Sequence, residues 1–228
     1  MVLANQEINH SHFQLPLVVD ASSSPLFLGI PTNKGWESTV SVPEQAMEGL
    51  FRGIRQLFLN RIDSLRDVDA VYYCCGPGST LGLRLAAAMV KTMIWKARGR
   101  LSFFQYNTLD LANCMTDEKP SYIQAPFRLG RRFVRSGKEL HIGKKQILTE
   151  EDALAEFKDS LHLIGPRQIS IDIPQDKILS YDPSRTGGLR DLANICEPLD
   201  QPVPYSPEPA TFKKWDGQIP AKQSGEAK

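Results

Sequence analysis

The chain places three glycines and a proline in the seven residues Gly76-Pro77-Gly78-Ser79-Thr80-Leu81-Gly82, between an apolar run and a second, longer apolar run. Gly tolerates positive φ and close backbone approach, and Pro presets its own φ, so these residues specify a sharp turn. A turn that opens a helix offers exposed amides and the positive end of the helix dipole, which together favour an anion such as phosphate. Gly76, Gly78, Ser79 and Gly82 are therefore candidate anion-binding residues. Asp20 is their candidate companion, because it ends the apolar run Leu15 to Val19 beside Ser22, Ser23 and Ser24, where a carboxylate could orient a metal-bound phosphate. The plainer readings stand beside these: a strand-to-helix connection without ligand, and an Asp that hydrogen-bonds the turn following it.

Other catalytic sets are absent from the sequence. No Lys-Ser/Thr pair follows the last glycine of the turn, so it is not a Walker A loop. Its glycines are spaced too widely for a dinucleotide fingerprint, and no acidic residue near position 100 could hold a ribose. Gly78 to Gly82 also departs from the G-x-S-x-G nucleophile elbow. The four histidines, His10, His12, His141 and His162, lack the i, i+4 spacing of a helical metal site, and no Cys-x-x-Cys occurs. The expectation is a chain with no metal site and no catalytic residues. One basic cluster stands apart, Arg128, Arg131, Arg132, Arg135, Lys138, Lys144 and Lys145 with Phe127 and Phe133 interleaved. Such a pattern suits either a nucleic-acid contact or the solvated outer face of a hairpin, the second being the ordinary case.

The elements that must position these residues follow from periodicity. Val68 to Cys75 reads as a buried strand entering the glycine turn, and Leu81 to Trp95 as a helix leaving it, capped by Ser79 or Thr80. Leu15 to Val19 and Leu26 to Ile30 read as a hairpin, with a further strand near Trp36 to Val40 and another at Leu101 to Gln105. Ser41-Val42-Pro43-Glu44 fits a capping box, and the apolar spacing after it predicts an amphipathic helix over 42–60. The 81–95 helix is apolar almost all round, with only Arg84, Lys91 and Thr92 as a polar line, so its second side needs a cover. That cover is another helix of the chain or a partner subunit. In the second half, Tyr122 to Ala125, Phe133 to Ile142, Leu161 to Ile164 and Gln168 to Ile173 are strand candidates. Helices are expected from Thr149 to about Lys158 and from Arg190 to Cys196. No internal repeat is evident.

With 228 residues, 41% of them hydrophobic, a formal charge of +1 and a pI near 7.7, the chain can bury one good core or two small lobes. It has no global field to attract nucleic acid or an anionic membrane. Four cysteines, two of them adjacent, suggest reduced thiols. No signal-peptide pattern opens the chain and no apolar run reaches membrane-span length, so a cytoplasmic location is expected.

Taken in order, these residues resemble the TsaB family, also called YeaZ, the non-catalytic paralogue among the Gcp/TsaD-like proteins. Asp20-Ala21-Ser22-Ser23-Ser24 sits where that family has an Asp-Thr-Ser/Ala-Thr strand end. Gly76-Pro77-Gly78-Ser79 and Gly82-Leu83-Arg84 match its Gly-Pro-Gly-Ser-Phe-Thr-Gly-Leu-Arg signature, and Val203-Pro204-Tyr205 is similar to its C-terminal Pro-x-Tyr. The chain departs from the family at Thr80 and Leu81, at Pro43 in place of a His, and at Pro126 to Arg131, which marks it as divergent.

The resemblance implies an α/β chain of actin-like ATPase (ribonuclease H-like) fold, with mixed sheets flanked by helices and two lobes, the second reduced. Residues 1–14 would be an extension, 15–108 the first lobe, 109–200 the second, and 201–228 an extended, partly disordered tail. It further implies a scaffold that pairs with a TsaD-like catalytic subunit, joined by a TsaE-like ATPase, in making threonylcarbamoyladenosine beside the tRNA anticodon. Pairing would use the first two helices, through Met47, Leu50, Phe51, Ile54, Leu83, Arg84, Ala87, Val90 and Lys91. No cofactor is firmly implied; ATP or ADP with Mg at the partner interface stays open. The alternatives are a nucleotide-dependent transferase or glycoprotease-like peptidase acting alone, and a stand-alone homodimer using the same helices.

Overall fold

The structure is a computed structural model that describes residues 10–43, 46–127, 130–138, 146–163 and 173–202. Arg128, Lys144, Lys145, most of the Gln168–Ile173 segment, Val203-Pro204-Tyr205 and the tail lie outside the described residues.

Two mixed sheets flanked by helices make up the molecule. β1 (Pro16–Asp20), β2 (Leu26–Thr32) and β3 (Gly35–Val42) form an antiparallel meander. After α1 (Ala46–Leu57), β4 (Ala70–Cys74) joins β1 in parallel, and after α2 (Thr80–Ala97), β5 (Ser102–Tyr106) joins β4 in parallel. The chain then forms α3 (Thr108–Cys114) and a second meander of β6 (Tyr122–Phe127), β7 (Arg131–Ser136) and β8 (Gln146–Thr149). α4 (Glu150–Glu156) leads to β9 (Ser160–Leu163), parallel to β6, and β10 (Ile178–Leu179) pairs in parallel with β9. The first sheet thus runs β3-β2-β1-β4-β5 and the second β8-β7-β6-β9-β10, the same path taken twice. Finally α5 (Leu189–Ile195) and β11 (Glu197–Pro198) return to the first sheet, where β11 pairs with β5.

Strand periodicity divides the core. Leu17 and Val19 on β1, with Val71 and Tyr73 on β4, point to the face covered by α1 and α2. Val18, Tyr72 and Cys74 point to the opposite face, which packs on α3, α5 and second-sheet residues such as Ile123, Phe133 and Leu163. Burying both faces explains why these two strands read as continuous apolar runs. A smaller cluster of Val134, Ala153 and Phe157 seats α4 on the second sheet.

The Ser41 capping box does not form. β3 extends through Val42, which is buried opposite Leu26, and the helix begins at Ala46, so the ladder claims the residue that would have been the first helical one. Apolar periodicity does not reveal α3, although its Asn107 cap, which accepts from the Leu109 amide, is followed by Asp110 in the first turn. Within the segment expected to be a polar extension, His10 is buried against Phe104, its Nδ1 2.7 Å from the Tyr72 hydroxyl. Burial lowers its pKa, with His12 adding to the shift. The four cysteines are free thiols, and burial pushes Cys74 and Cys196 well up from the ordinary thiol range. Among the described residues, no helix is long and apolar enough to cross a membrane.

Candidate functional site

The glycine turn sits where the sequence expects it, between β4 and α2, and it is stitched to the end of β1. Ser79 is the N-cap of α2, its hydroxyl accepting from the Gly82 amide at 3.2 Å, and its own amide donates to the Ser22 carbonyl at 2.7 Å. A Cβ at Gly78 would collide with the Ser22 backbone, and one at Gly82 with the Ala21 carbonyl oxygen. These glycines therefore let two chain segments touch. The Gly76 amide turns to Cys74 Sγ and the Leu83 amide to the Ser79 carbonyl, so the amides of Gly76, Ser79, Gly82 and Leu83 are all spent within the chain. The anion cradle expected of this turn loses most of its donors for that reason.

Asp20 is likewise committed. Its Oδ1 accepts from the Ser22 amide at 2.9 Å and the Ser22 hydroxyl at 2.6 Å, and its Oδ2 from the Tyr106 and Tyr181 hydroxyls at 2.8 and 2.6 Å. The residue is buried, and four donors occupy both oxygens. This is the turn-binding Asp, with a further role that sequence spacing could not reveal: it joins β1 and β5 to Tyr181, just past β10 at the end of the second sheet. The metal-orienting role is corrected accordingly. Burial, and then the Asp20 carboxylate, push both phenols well above their usual range, so they remain donors.

In front of this knot lies a cleft of about 580 Å³. Ser22, Ser79, Thr80, Thr108, Ser180 and Tyr181 supply hydroxyls on its side nearer the first sheet and the β10 end. Ala125, Pro126, Phe127, Phe133 and Leu163 of the second sheet form an apolar wall, where the Phe127 and Phe133 rings lie 4.7 Å apart. No charged side chain lines the cleft among the described residues. Nor do three or more His, Cys, Asp or Glu residues converge on a metal-binding group among them.

The second feature is the outer face of α1 and α2. Met47 and Phe51 are 59% and 78% exposed on α1, while Leu81 and Trp95 are 63% and 82% exposed on α2. Leu81, Leu85, Ala88 and Trp95 follow a 4-3-7 spacing and therefore share one side of α2. The residues predicted to bind a partner divide in two. Met47, Phe51, Arg84 and Lys91 are exposed and Ile54 is half-buried, but Leu50, Leu83, Ala87 and Val90 are buried in the chain's own core. Leu50, Ala87 and Val90 belong to the core under α1 and α2 and Leu83 to the core on the other face of the first sheet, so these four do not form an outer surface. Leu81, Leu85 and Trp95 lie on this outer side but are not among the predicted residues, because an all-round apolar helix does not reveal which side meets the sheet.

The basic segment also resolves differently from expectation. Arg131 and Lys138 are exposed, but Arg132 and Arg135 are buried. Arg132 donates to Gln124 Oε1 at 2.9 Å and to Glu150 Oε1 at 2.9 Å, and its third nitrogen lies 3.1 Å from His162 Nδ1. A guanidinium only donates, so His162 is a neutral acceptor there. Burial, and then Arg132, lower its pKa to about 4. Arg135 Nε lies 2.8 Å from Asp110 Oδ1 of α3. For these two arginines, both the solvated-face and the nucleic-acid readings give way to internal ion pairs.

No protein-family model and no curated protein sequence matches the chain. Among solved structures it is similar to YeaZ from Pseudomonas aeruginosa, at 15% identity and a TM-score of 0.50, over 60% of this chain and 68% of that one. It is also similar to an uncharacterized protein with similarity to peptidase YeaZ from Pseudomonas aeruginosa, at 13% identity and a TM-score of 0.47, over 71% of each chain. The fold shared with the first of these is the actin-like, ribonuclease H-like architecture that the sequence motifs implied.

Proposed function

We propose that this chain is a non-catalytic scaffold of the TsaB kind, which docks a TsaD-like catalytic subunit through the outer face of α1 and α2 and so supports threonylcarbamoyladenosine formation in tRNA. The observation that carries the reading is the coincidence of a Gly-Pro-Gly-Ser turn with the two-helix apolar face it launches. Met47, Phe51, Leu81 and Trp95 leave large apolar side chains in water on neighbouring helices. An apolar face of this kind is characteristic of a binding surface. Arg84 and Lys91, both exposed on α2, supply polar groups to the same helix. The fold likeness to YeaZ agrees with this reading. So does the commitment of Asp20 to four internal donors, which suits a structural role for this carboxylate. A TsaE-like ATPase and tRNA would join through the complex, in the cytoplasm.

The test is co-purification of the full chain with a TsaD-like protein of the same genome. Phe51→Asp and Trp95→Asp alter exposed side chains, so they leave the melting temperature near its parent value, while each weakens pairing by more than about tenfold. Unchanged pairing in both variants would remove the proposed face. Formation of a stable homodimer that excludes the TsaD-like protein would replace this reading with a stand-alone dimer.

A further inference from the structure

A second hollow, of about 740 Å³, lies at the other end of the first sheet from the glycine turn, where α2 ends and β4 and β5 begin. We propose that it binds an organic phosphate, an apolar or aromatic body seated on its floor with the phosphate held by Arg66, Lys96 and Arg100. Binding there needs no partner subunit, so it stands or falls separately from pairing through the outer face of α1 and α2. The floor is built from apolar residues at the ends of elements. Val68, Met93 and Leu101 are buried and Leu65 and Ala97 half-buried, all in the core cluster under α1 and α2. A hollow of this volume, with an apolar floor and a few placed polar groups, has the composition of a small-molecule site.

Three segments bring the cations together. Arg66 comes from the loop between α1 and β4, Lys96 from the last turn of α2 and Arg100 from the turn into β5, and all three are exposed. Lys96 and Arg100 also complement the negative end of the α2 dipole, whereas Arg66 adds a third cation from outside that helix. Two carboxylates share the lining, and backbone donors hold both. Asp67 Oδ2 accepts from the Ser64 amide and hydroxyl, each at 2.8 Å, and Asp69 accepts from the Gln14 and Leu15 amides at 2.6 and 3.1 Å. These bonds pin the loop that carries Arg66 and fix it against the start of β1. The Arg100 amide and Nε donate to the Ala97 carbonyl at 3.2 and 3.3 Å, which holds the guanidinium at the rim. Its remaining N–H groups form the fork that matches phosphate oxygens. A phosphate offers three acceptor oxygens to three cations and carries more charge than a carboxylate, so it suits this rim better.

Isothermal titration calorimetry of the full chain with 1-naphthyl phosphate, 1-naphthol, 1-naphthoate and inorganic phosphate tests this directly. Naphthyl phosphate is expected to bind, with naphthol, which lacks the anion, and inorganic phosphate, which lacks the ring, each weaker by at least about tenfold. Naphthoate should fall between naphthyl phosphate and naphthol. Arg66→Gln and Arg100→Gln alter exposed side chains, so the melting temperature should stay near that of the parent. Each should weaken naphthyl phosphate binding by about tenfold through loss of charge-assisted hydrogen bonds, and the double variant should abolish it. Absence of naphthyl phosphate binding at millimolar concentration would overturn the proposal, as would undiminished binding by the folded double variant. Naphthol, naphthoate or inorganic phosphate binding as tightly as naphthyl phosphate would overturn it as well.

Discussion

Removing the Tyr181 hydroxyl by Tyr181→Phe should destabilise the protein through a bond that spans 161 positions of sequence. The phenol donates at 2.6 Å to Asp20 Oδ2, a buried carboxylate oxygen that also accepts from Tyr106 at 2.8 Å. A hydrogen bond to a charged group contributes about 1.5–3 kcal/mol. The variant keeps the ring, so packing changes little and that figure is the expected loss. For a chain of this size about 1 kcal/mol moves the melting temperature by about 2–4 °C, so Tyr181→Phe should melt about 6 °C lower. Tyr106→Phe should behave alike. In the double variant both donors to Oδ2 are lost, and the cost should exceed the sum of the single losses because a buried charge then has no donor on that oxygen. Asp20→Asn, placed in the double variant, should recover part of the loss by removing the charge. Differential scanning calorimetry with urea melts of the four variants measures the cycle. A Tyr181→Phe shift below about 1 °C, beside a full Tyr106→Phe shift, would refute the claim that Asp20 ties the end of the second sheet to the first.

Two further outcomes follow from the same geometry. Gly82→Ala puts a methyl group into the Ala21 carbonyl, so α2 and the end of β1 must separate; a loss of about 1–3 kcal/mol is expected in urea unfolding, whereas Ala88→Gly on the exposed side should cost about 1 kcal/mol by helix propensity alone. His162 titrates near 6.5 when unfolded and at about 4 when folded, so below pH 6.5 the unfolded state takes up a proton that the folded state refuses. Stability should therefore fall as pH drops from about 6.5 towards 4, by up to about 3 kcal/mol from this group, and His162→Asn, which keeps an acceptor for Arg132, should flatten that part of the profile. Equal pH slopes in the two proteins would contradict the buried neutral histidine.

The amino-acid sequence determined what local interactions control. Leu15 to Val19 and Val68 to Cys75 could only be buried strands, because continuous apolar β-formers need cover on both faces. Gly76 to Gly82 could only be a turn, because glycine and proline act on the backbone within one or two residues. The motif resemblance added the fold. Tertiary structure decided everything that depends on partners far apart in the chain. Val42 joined a strand because Leu26 lay opposite, overriding a sound capping box. The duplicated strand order of the two sheets escaped detection because topology repeats without repeating residues. Arg132 and Arg135 entered the interior because buried Gln124 and Asp110, and the partly exposed Glu150, meet them there, and no run of residues 128–145 carries that information. Asp20 was legible as a polar residue at a strand end, but whether its oxygens faced a metal or two phenols was fixed by Tyr106 and Tyr181. The same holds for α2: its composition announced an apolar helix, and only its packing on β1, β4 and α1 chose which side remained in water.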